Sequence, residues 1–176
     1  MTSSEDKDHN QQNMQKRQRD DSIRIIRAQT KHIPLIAPLF DLYRQFYHQP
    51  TDLQGAHDFL TQRFYEGNSV IFLAIVAERE DNQKACGFTQ LYPTFSSVSM
   101  KRLWILNDLF VAPEARRKGV GRILLQYARA FALETHAKGL TLKTAVDNCA
   151  AQALYESLGW RRDEDFFSYN LFVHTS

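Results

Sequence analysis

Between positions 116 and 122 the chain reads Arg116-Arg117-Lys118-Gly119-Val120-Gly121-Arg122, after an apolar stretch, Leu109-Phe110-Val111, and a short loop through Pro113. If a helix starts at the glycines, its first N–H groups have no intrahelical acceptor and its dipole brings partial positive charge to the same end. Gly119 and Gly121 carry no side chain to hold an anion away, and Arg116, Arg117, Lys118 and Arg122 surround that point with full positive charges. The physical product is a cradle for a diphosphate. The spacing is not the dinucleotide-binding Gly-x-Gly-x-x-Gly, because position 124 is Leu, and no Gly-Lys-Ser/Thr follows to make a P-loop.

Other residues could do chemistry around such an anion. Asn107 and Asp108 stand just before the apolar stretch, and of the two only Asp108 can accept a proton. On a regular strand their side chains point to opposite faces, so Asp108 is open to two readings, a general base or a structural carboxylate. Tyr43, Phe46, Tyr47 and His48, with Tyr92 and Phe95, offer aromatic faces suited to a cationic ligand, and Tyr43, Tyr47 and Tyr92 are the candidate substrate contacts. His48 and His57 lack metal-ligand spacing. Cys86 and Cys149 match no zinc pattern and are read as free thiols, so no metal is expected.

The elements that position these residues follow from periodicity. Apolar residues two apart make a strand from Ser22 through Ile23, Ile25 and Arg27. Thr30 caps a helix carrying Ile33, Ile36, Leu39, Phe40, Tyr43, Phe46 and Tyr47, with Pro34 in its tolerant first turn. A second helix covers 56–65 and stops at Gly67-Asn68. Strands follow at 70–76, 85–91 and 104–111, with a turn at Asp81-Asn82 and an exposed hairpin connection at 96–102. Val120, Leu124, Tyr127 and Phe131 line one face of a helix over 119–136. A strand at 140–145, a helix at 150–158 ended by Gly159 and a last strand at 166–173 complete the order. The expectation is an α/β mixed sheet of about six to seven strands with helices on both faces.

Composition bounds the rest. The chain has 176 residues, 43% of them apolar and 24% charged, ordinary values for one soluble domain, taken as 22–176. Residues 1–21 are polar with almost nothing to bury and read as a flexible tail lacking a secretory signal. The net charge of +2 is too small to argue for nucleic acid, and no apolar run reaches a membrane span. A cytoplasmic protein is expected.

Two stretches together carry a resemblance. Arg116-x-x-Gly119-x-Gly121 after Leu109-Phe110-Val111 is similar to the acyl-CoA signature of the GNAT superfamily of N-acyltransferases. Asn148-Cys149-Ala150-Ala151-Gln152-Ala153-Leu154-Tyr155-Glu156-Ser157-Leu158-Gly159-Trp160 resembles its second cofactor motif, an Asn seven residues before a Tyr and then Leu-Gly-aromatic. The likeness covers 22–173 in element order and is sharp over 103–160. Asn107-Asp108 falls where the spermidine/spermine-type branch shows Glu-Asp, and the Asn departs from that pattern.

The resemblance implies acetyl-CoA as cosubstrate. It assigns the backbones of Leu109, Phe110 and Val111 to the pantetheine amides, in a gap between a bulged strand and its splayed parallel neighbour. Residues 116–121, Val120 included, would hold the pyrophosphate, with Arg122 at a phosphate. Asn148 would bond the pantetheine arm, and Tyr155 would act as general acid toward the sulfur. The implied activity is direct acetyl transfer to an amine, with Asp108 or a water relay as base and Asn107 only orienting. Three readings stay open: a small polyamine-like or amino-acid-like acceptor, a protein lysine or N-terminus, and a non-catalytic acyl-CoA sensor. A homodimer through the apolar 166–172 stretch is a further expectation, since relatives with this sheet often pair.

Overall fold

The computed structural model describes residues 23–79 and 82–173, so the expected tail at 1–21 and the Asp81 half of the turn lie outside the described residues. The chain forms two compact units, one ending at Lys143 and one beginning at Thr144.

The first unit is built on a five-stranded sheet in the order β1 (Ile23–Arg27), β2 (Val70–Arg79), β3 (Asn82–Ser96), β4 (Lys101–Val111) and β5 (Leu140–Thr141). Neighbours are antiparallel except β4 and β5, which run parallel. Two helices, α1 (Ile33–Phe46) and α2 (Leu53–Glu66), precede β2, and α3 (Val120–Glu134) connects β4 to β5. β2 is apolar without alternation because both its faces are covered, the pattern of a central strand. On one face Ile71, Leu73 and Ile75 join Phe88 and Phe110 in a core with Ile33, Ile36, Ala37 and Phe40 of α1 and Ala56 and Leu60 of α2. Phe72 points the other way, its ring 5.6 Å from Phe131 of α3, and Trp104 packs on the same ring at 5.0 Å. Burying each such side chain stabilises the fold by roughly 1.5–3 kcal/mol.

Gly87 permits the close approach of β4. A Cβ there would lie 2.8 Å from the Phe110 carbonyl oxygen and 3.2 Å from Val120 Cγ1, so only a glycine lets β4 and α3 sit this near β3.

The sheet is smaller than the sequence suggested. Among the described residues five strands form rather than six or seven, and residues 166–173 join no ladder. Their alternation marks an amphipathic segment, but a strand also needs a neighbouring edge to bond, and periodicity says nothing about that. The strand expected at 140–145 stops at Thr141, while the β3–β4 hairpin runs well past its expected ends. Thr30 does not cap α1; it opens a 3-10 turn, Thr30–His32, in which the Gln29 N–H donates to His32 Nδ1 at 2.9 Å. Gly67 ends α2 in the left-handed conformation, φ 61°, as its position implied. The second unit contributes α4 (Cys149–Glu156), and none of its described residues is buried.

Candidate active site

The basic loop leaves β4 at Val111, makes a 3-10 turn at Pro113–Ala115 and enters α3 through two left-handed residues, Arg117 at φ 64° and Gly119 at φ 82°. Gly119 is the N-cap and supplies no side-chain cap, so the first N–H groups of α3 lack the partner that Asp52 gives α2 at Gly55 N. An uncapped helix start behind alternating left-handed residues has the form of an anion-binding concavity. Arg117 and Lys118 are exposed, whereas Val120 is buried and anchors the helix. The Arg116 side chain has a different task. Its Nε donates to the Val111 carbonyl at 3.0 Å and its guanidinium lies over the Phe110 ring, so it pins the loop to the strand end.

On the β5 side, β4 is paired among the described residues only at Trp104 and Ile105. From there the edge through Leu109, Phe110 and Val111 meets no strand among the described residues, and its opposite edge is held by Thr89, Phe88 and Gly87. A backbone edge of this kind can bond an extended amide-bearing arm. The register shifts at the same place. Gln90 pairs with Asp108 and Leu91 with Leu106, which leaves Asn107 as a bulge residue.

The bulge corrects the expected geometry of Asn107 and Asp108. Asn107 is exposed and Asp108 buried, yet Asn107 Nδ2 donates to Asp108 Oδ1 at 3.0 Å, because the extra residue breaks the strict alternation. Tyr43 of α1 also bonds the Asp108 carboxyl. Burial pushes that carboxyl above its ordinary range, and the bonds from Asn107 and Tyr43 oppose the rise without cancelling it. Tyr92 is pushed up to about 12, chiefly by burial and then by the negative charge of Asp108, with Arg63 and a bond from Gln90 opposing. Two of the three candidate substrate residues, Tyr43 and Tyr92, therefore converge on Asp108. Tyr47 extends the aromatic surface outward, its ring 5.2 Å from Tyr43 and 5.2 Å from the exposed Phe46.

In the second unit, Asn148 is the N-cap of α4 and its Oδ1 accepts from Ala151 N at 3.3 Å, which leaves its amide nitrogen as the group able to reach a ligand. Tyr155 lies on α4 with its ring 5.9 Å from Trp160. Cys86 is buried and its thiol is pushed up by burial, and Cys149 is exposed at the start of α4; neither is disulfide-bonded. Among the described residues no group of three or more His, Cys, Asp or Glu could hold a metal, and no helix is long and apolar enough to cross a membrane.

Sequence reasoning missed Gln90, which pairs with Asp108 across the β3–β4 ladder, and Arg63 of α2, whose charge acts on Tyr92. The available signal was Thr89-Gln90, a polar pair inside the otherwise apolar stretch from Phe88 to Leu91.

A mixed sheet ending in a parallel pair, flanked by helices, with an uncapped glycine helix start after a bulged strand, defines a GNAT-like α/β fold. The model of the acetyltransferase (GNAT) family matches residues 36–160. The uncharacterized N-acetyltransferase YhfO of Bacillus subtilis is 52% identical over 149 residues, covering 85% of this chain and 97% of that protein. A probable acetyltransferase of Haemophilus influenzae is 30% identical over 139 residues, 79% of this chain and 90% of that one. The crystal structure of a probable acetyltransferase superposes with a TM-score of 0.80 at 45% identity, covering 87% of this chain and 99% of that chain. The chain belongs to the GNAT family of acetyltransferases and is an acetyl-CoA-dependent N-acetyltransferase.

Proposed function

We propose that the acceptor is a primary amine on a small polyamine-like or amino-acid-like molecule, and that acetyl passes to it directly, in the cytoplasm. The observation that carries this reading is Asp108: a buried carboxyl of raised pKa, bonded by Asn107 and Tyr43 and set at a bulge beside an open strand edge. The residues at the cosubstrate side fit acetyl-CoA. The uncapped start of α3 with Arg117, Lys118 and Arg122 suits its diphosphate, and the open edge at Leu109, Phe110 and Val111 suits its amide-bearing arm.

When bound, acetyl-CoA supplies the thioester whose C–S bond breaks as the new C–N bond forms. The chain's own residues then have three tasks. A lysine-like amine of pKa about 10.4 costs roughly 4.6 kcal/mol to deprotonate at pH 7. Asp108, with a carboxyl better matched to that task than an ordinary exposed aspartate, takes the proton. Tyr43, Tyr47 and Tyr92 orient the cationic acceptor through their ring faces. In the roles the family resemblance implies, Tyr155 would give its hydroxyl proton to the departing sulfur and regain one, through solvent, from the N–H proton that amide formation releases, and Asn148 would hold the pantetheine arm. Holding both reactants together supplies several kcal/mol more.

Coenzyme A release measured against polyamines, amino acids and peptides tests the reading. Turnover confined to peptides would replace the small acceptor with a protein amine. The sensor alternative is kept by one feature, that Asn107 donates a hydrogen bond where a base would accept; acetyl-CoA binding with no turnover on any amine would establish it. Tyr155→Phe should lose turnover and keep acetyl-CoA binding, and unchanged turnover removes Tyr155 from its role.

The 166–173 segment supports a homodimer. Phe166, Phe167, Tyr169, Leu171 and Phe172 are each at least 78% exposed, an apolar surface unusual for a monomer. A molecular mass in sedimentation that stays monomeric as concentration rises would rule this out.

A further inference from the structure

Gln90 sits mid-way along β3, fully buried and directly opposite Asp108 on β4. Residues paired in this way project to the same face with their Cβ atoms roughly 4.5–5.5 Å apart, so the two side chains are neighbours on the face covered by α1 and α2. The amide nitrogen of Gln90 is occupied: Nε2 donates to Ser69 Oγ at 3.0 Å, and the side chain also bonds Tyr92. Its carbonyl oxygen, Oε1, has no hydrogen-bond partner among the described residues. A buried amide oxygen without a donor is an expensive feature, and it is retained where a ligand or water completes it. Asp108 beside it receives its bonds from an amide and a phenol, both neutral. The register thus places two buried acceptors on one face, and a group that brings more than one N–H could serve both.

We infer that Gln90 determines which amines this enzyme accepts: its carbonyl oxygen takes an N–H of the acceptor nitrogen beside Asp108, selecting primary amines over N-alkylated ones. This rests on the acceptor site proposed above and names a further residue within it. The count of hydrogens decides the specificity. A primary ammonium has three N–H groups. Once Asp108 takes one proton, the lone pair is free to attack; of the two N–H groups left, one faces Asp108 and is released to solvent as the amide forms, and the other meets Gln90 Oε1. A secondary amine has a single N–H at the same stage, and its alkyl group replaces the other against a buried, unpaired oxygen. Sites built to bond a donor reject analogues that lack it far more strongly than apolar pockets reject a methyl group.

The experiment measures coenzyme A release by the full chain with three matched pairs: putrescine and N,N′-dimethylputrescine, glycinamide and sarcosinamide, glycine and sarcosine. For whichever pair is turned over, the primary member should be favoured by about 10⁴-fold in kcat/KM. Gln90→Met removes the acceptor and should compress that ratio about tenfold, through the KM for the amine, with the KM for acetyl-CoA unchanged. Gln90→Glu retains an oxygen acceptor and should hold the ratio near the wild-type value. If Gln90→Met does not fold, the wild-type ratio and Gln90→Glu still decide the matter. Wild-type ratios within about threefold of unity overturn the inference while leaving the acetyltransferase reading intact. A uniform drop in kcat for both members of a pair in Gln90→Met, with the ratio preserved, overturns it in favour of a resident water on Oε1. No release with any amine, with acetyl-CoA still bound, removes both this inference and the acceptor reading beneath it.

Discussion

Asn107 Nδ2 donates to Asp108 Oδ1 at 3.0 Å, a bond between consecutive strand residues that regular pleating forbids and the bulge at Asn107 permits. The bond favours the ionised form of a carboxyl that burial holds high. A relative with a carboxylate at position 107 would repel that charge; this chain supplies a donor instead.

Asn107→Ala should therefore raise the Asp108 pKa further. A general base works deprotonated, so activity is lost on the acid side of its pKa, and raising that pKa moves the acid limb of kcat/KM to higher pH. A lost hydrogen bond of about 1 kcal/mol corresponds to a displacement of roughly 0.5–1 pH unit. An acid limb that stays in place would separate Asp108 from the proton transfer.

Arg117 adopts φ 64° without being glycine, in the loop before α3. Left-handed backbone costs an ordinary residue about 1–2 kcal/mol, and glycine adopts it freely. Arg117→Gly should leave thermal stability unchanged or slightly raised while weakening coenzyme A binding, since an exposed cation is lost from the cradle. Arg117→Lys keeps the charge and should bind nearly as well as wild type. Calorimetric titration with coenzyme A and thermal melts on the same samples check both halves. A glycine variant with lower stability and full affinity would show that Arg117 is a scaffold residue.

Much of the architecture was legible because local chemistry decides it. The β-branched and apolar run of β2 can only be a covered strand, and Gly119 followed by Val120, Leu124 and Phe131 at helical spacing can only start a helix with one buried face. The candidate cradle and Tyr43, Tyr47 and Tyr92 were nominated on type and local spacing alone, and of these Tyr43 and Tyr92 meet at Asp108. What the sequence hid depends on partners distant in the chain. The bulge at Asn107 exists only relative to β3, and Gln90 matters only because Asp108 lies across from it. The apolar alternation at 166–173 shows what the segment would bury without showing against what.

Asp41 ties the α1–α2 connection in place. It is 6% exposed and accepts from Asp52 N at 2.8 Å, Thr51 Oγ1 at 2.7 Å and Gln45 Nε2 at 2.9 Å. The Asp52 N–H is the chief cause of its depressed pKa, with Thr51, Gln45 and Arg44 adding to it against the opposing effect of burial. Because the folded pKa lies below the unfolded one, the stabilisation is present above the unfolded carboxylate value, about 3.9, and is lost as pH falls through the folded value. Asp41→Ala should cost about 2–3 kcal/mol near neutral pH, the scale of bonds to a charged group. Urea unfolding at several pH values should show that gap narrowing below about pH 4. A gap independent of pH would assign the loss to packing instead.

Asp108 has the opposite linkage. Burial raises its folded pKa above the unfolded value, so its contribution is most favourable below the unfolded pKa and declines as pH rises through the folded one. At pH 8 the fold then carries the cost of a buried carboxylate whose bonds from Asn107 and Tyr43 do not fully offset desolvation. Asp108→Asn removes the charge, keeps the shape and retains one oxygen to accept those donors. It should melt a few degrees higher than wild type at pH 8, and the advantage should vanish near pH 4. The same substitution should lower kcat by about 10²–10⁴-fold, the range for removing a general base. Stability and activity moving in opposite directions is the signature of a charge held for chemistry. A variant that loses both together would make Asp108 a structural carboxylate, and the proton would then have to leave the amine through water.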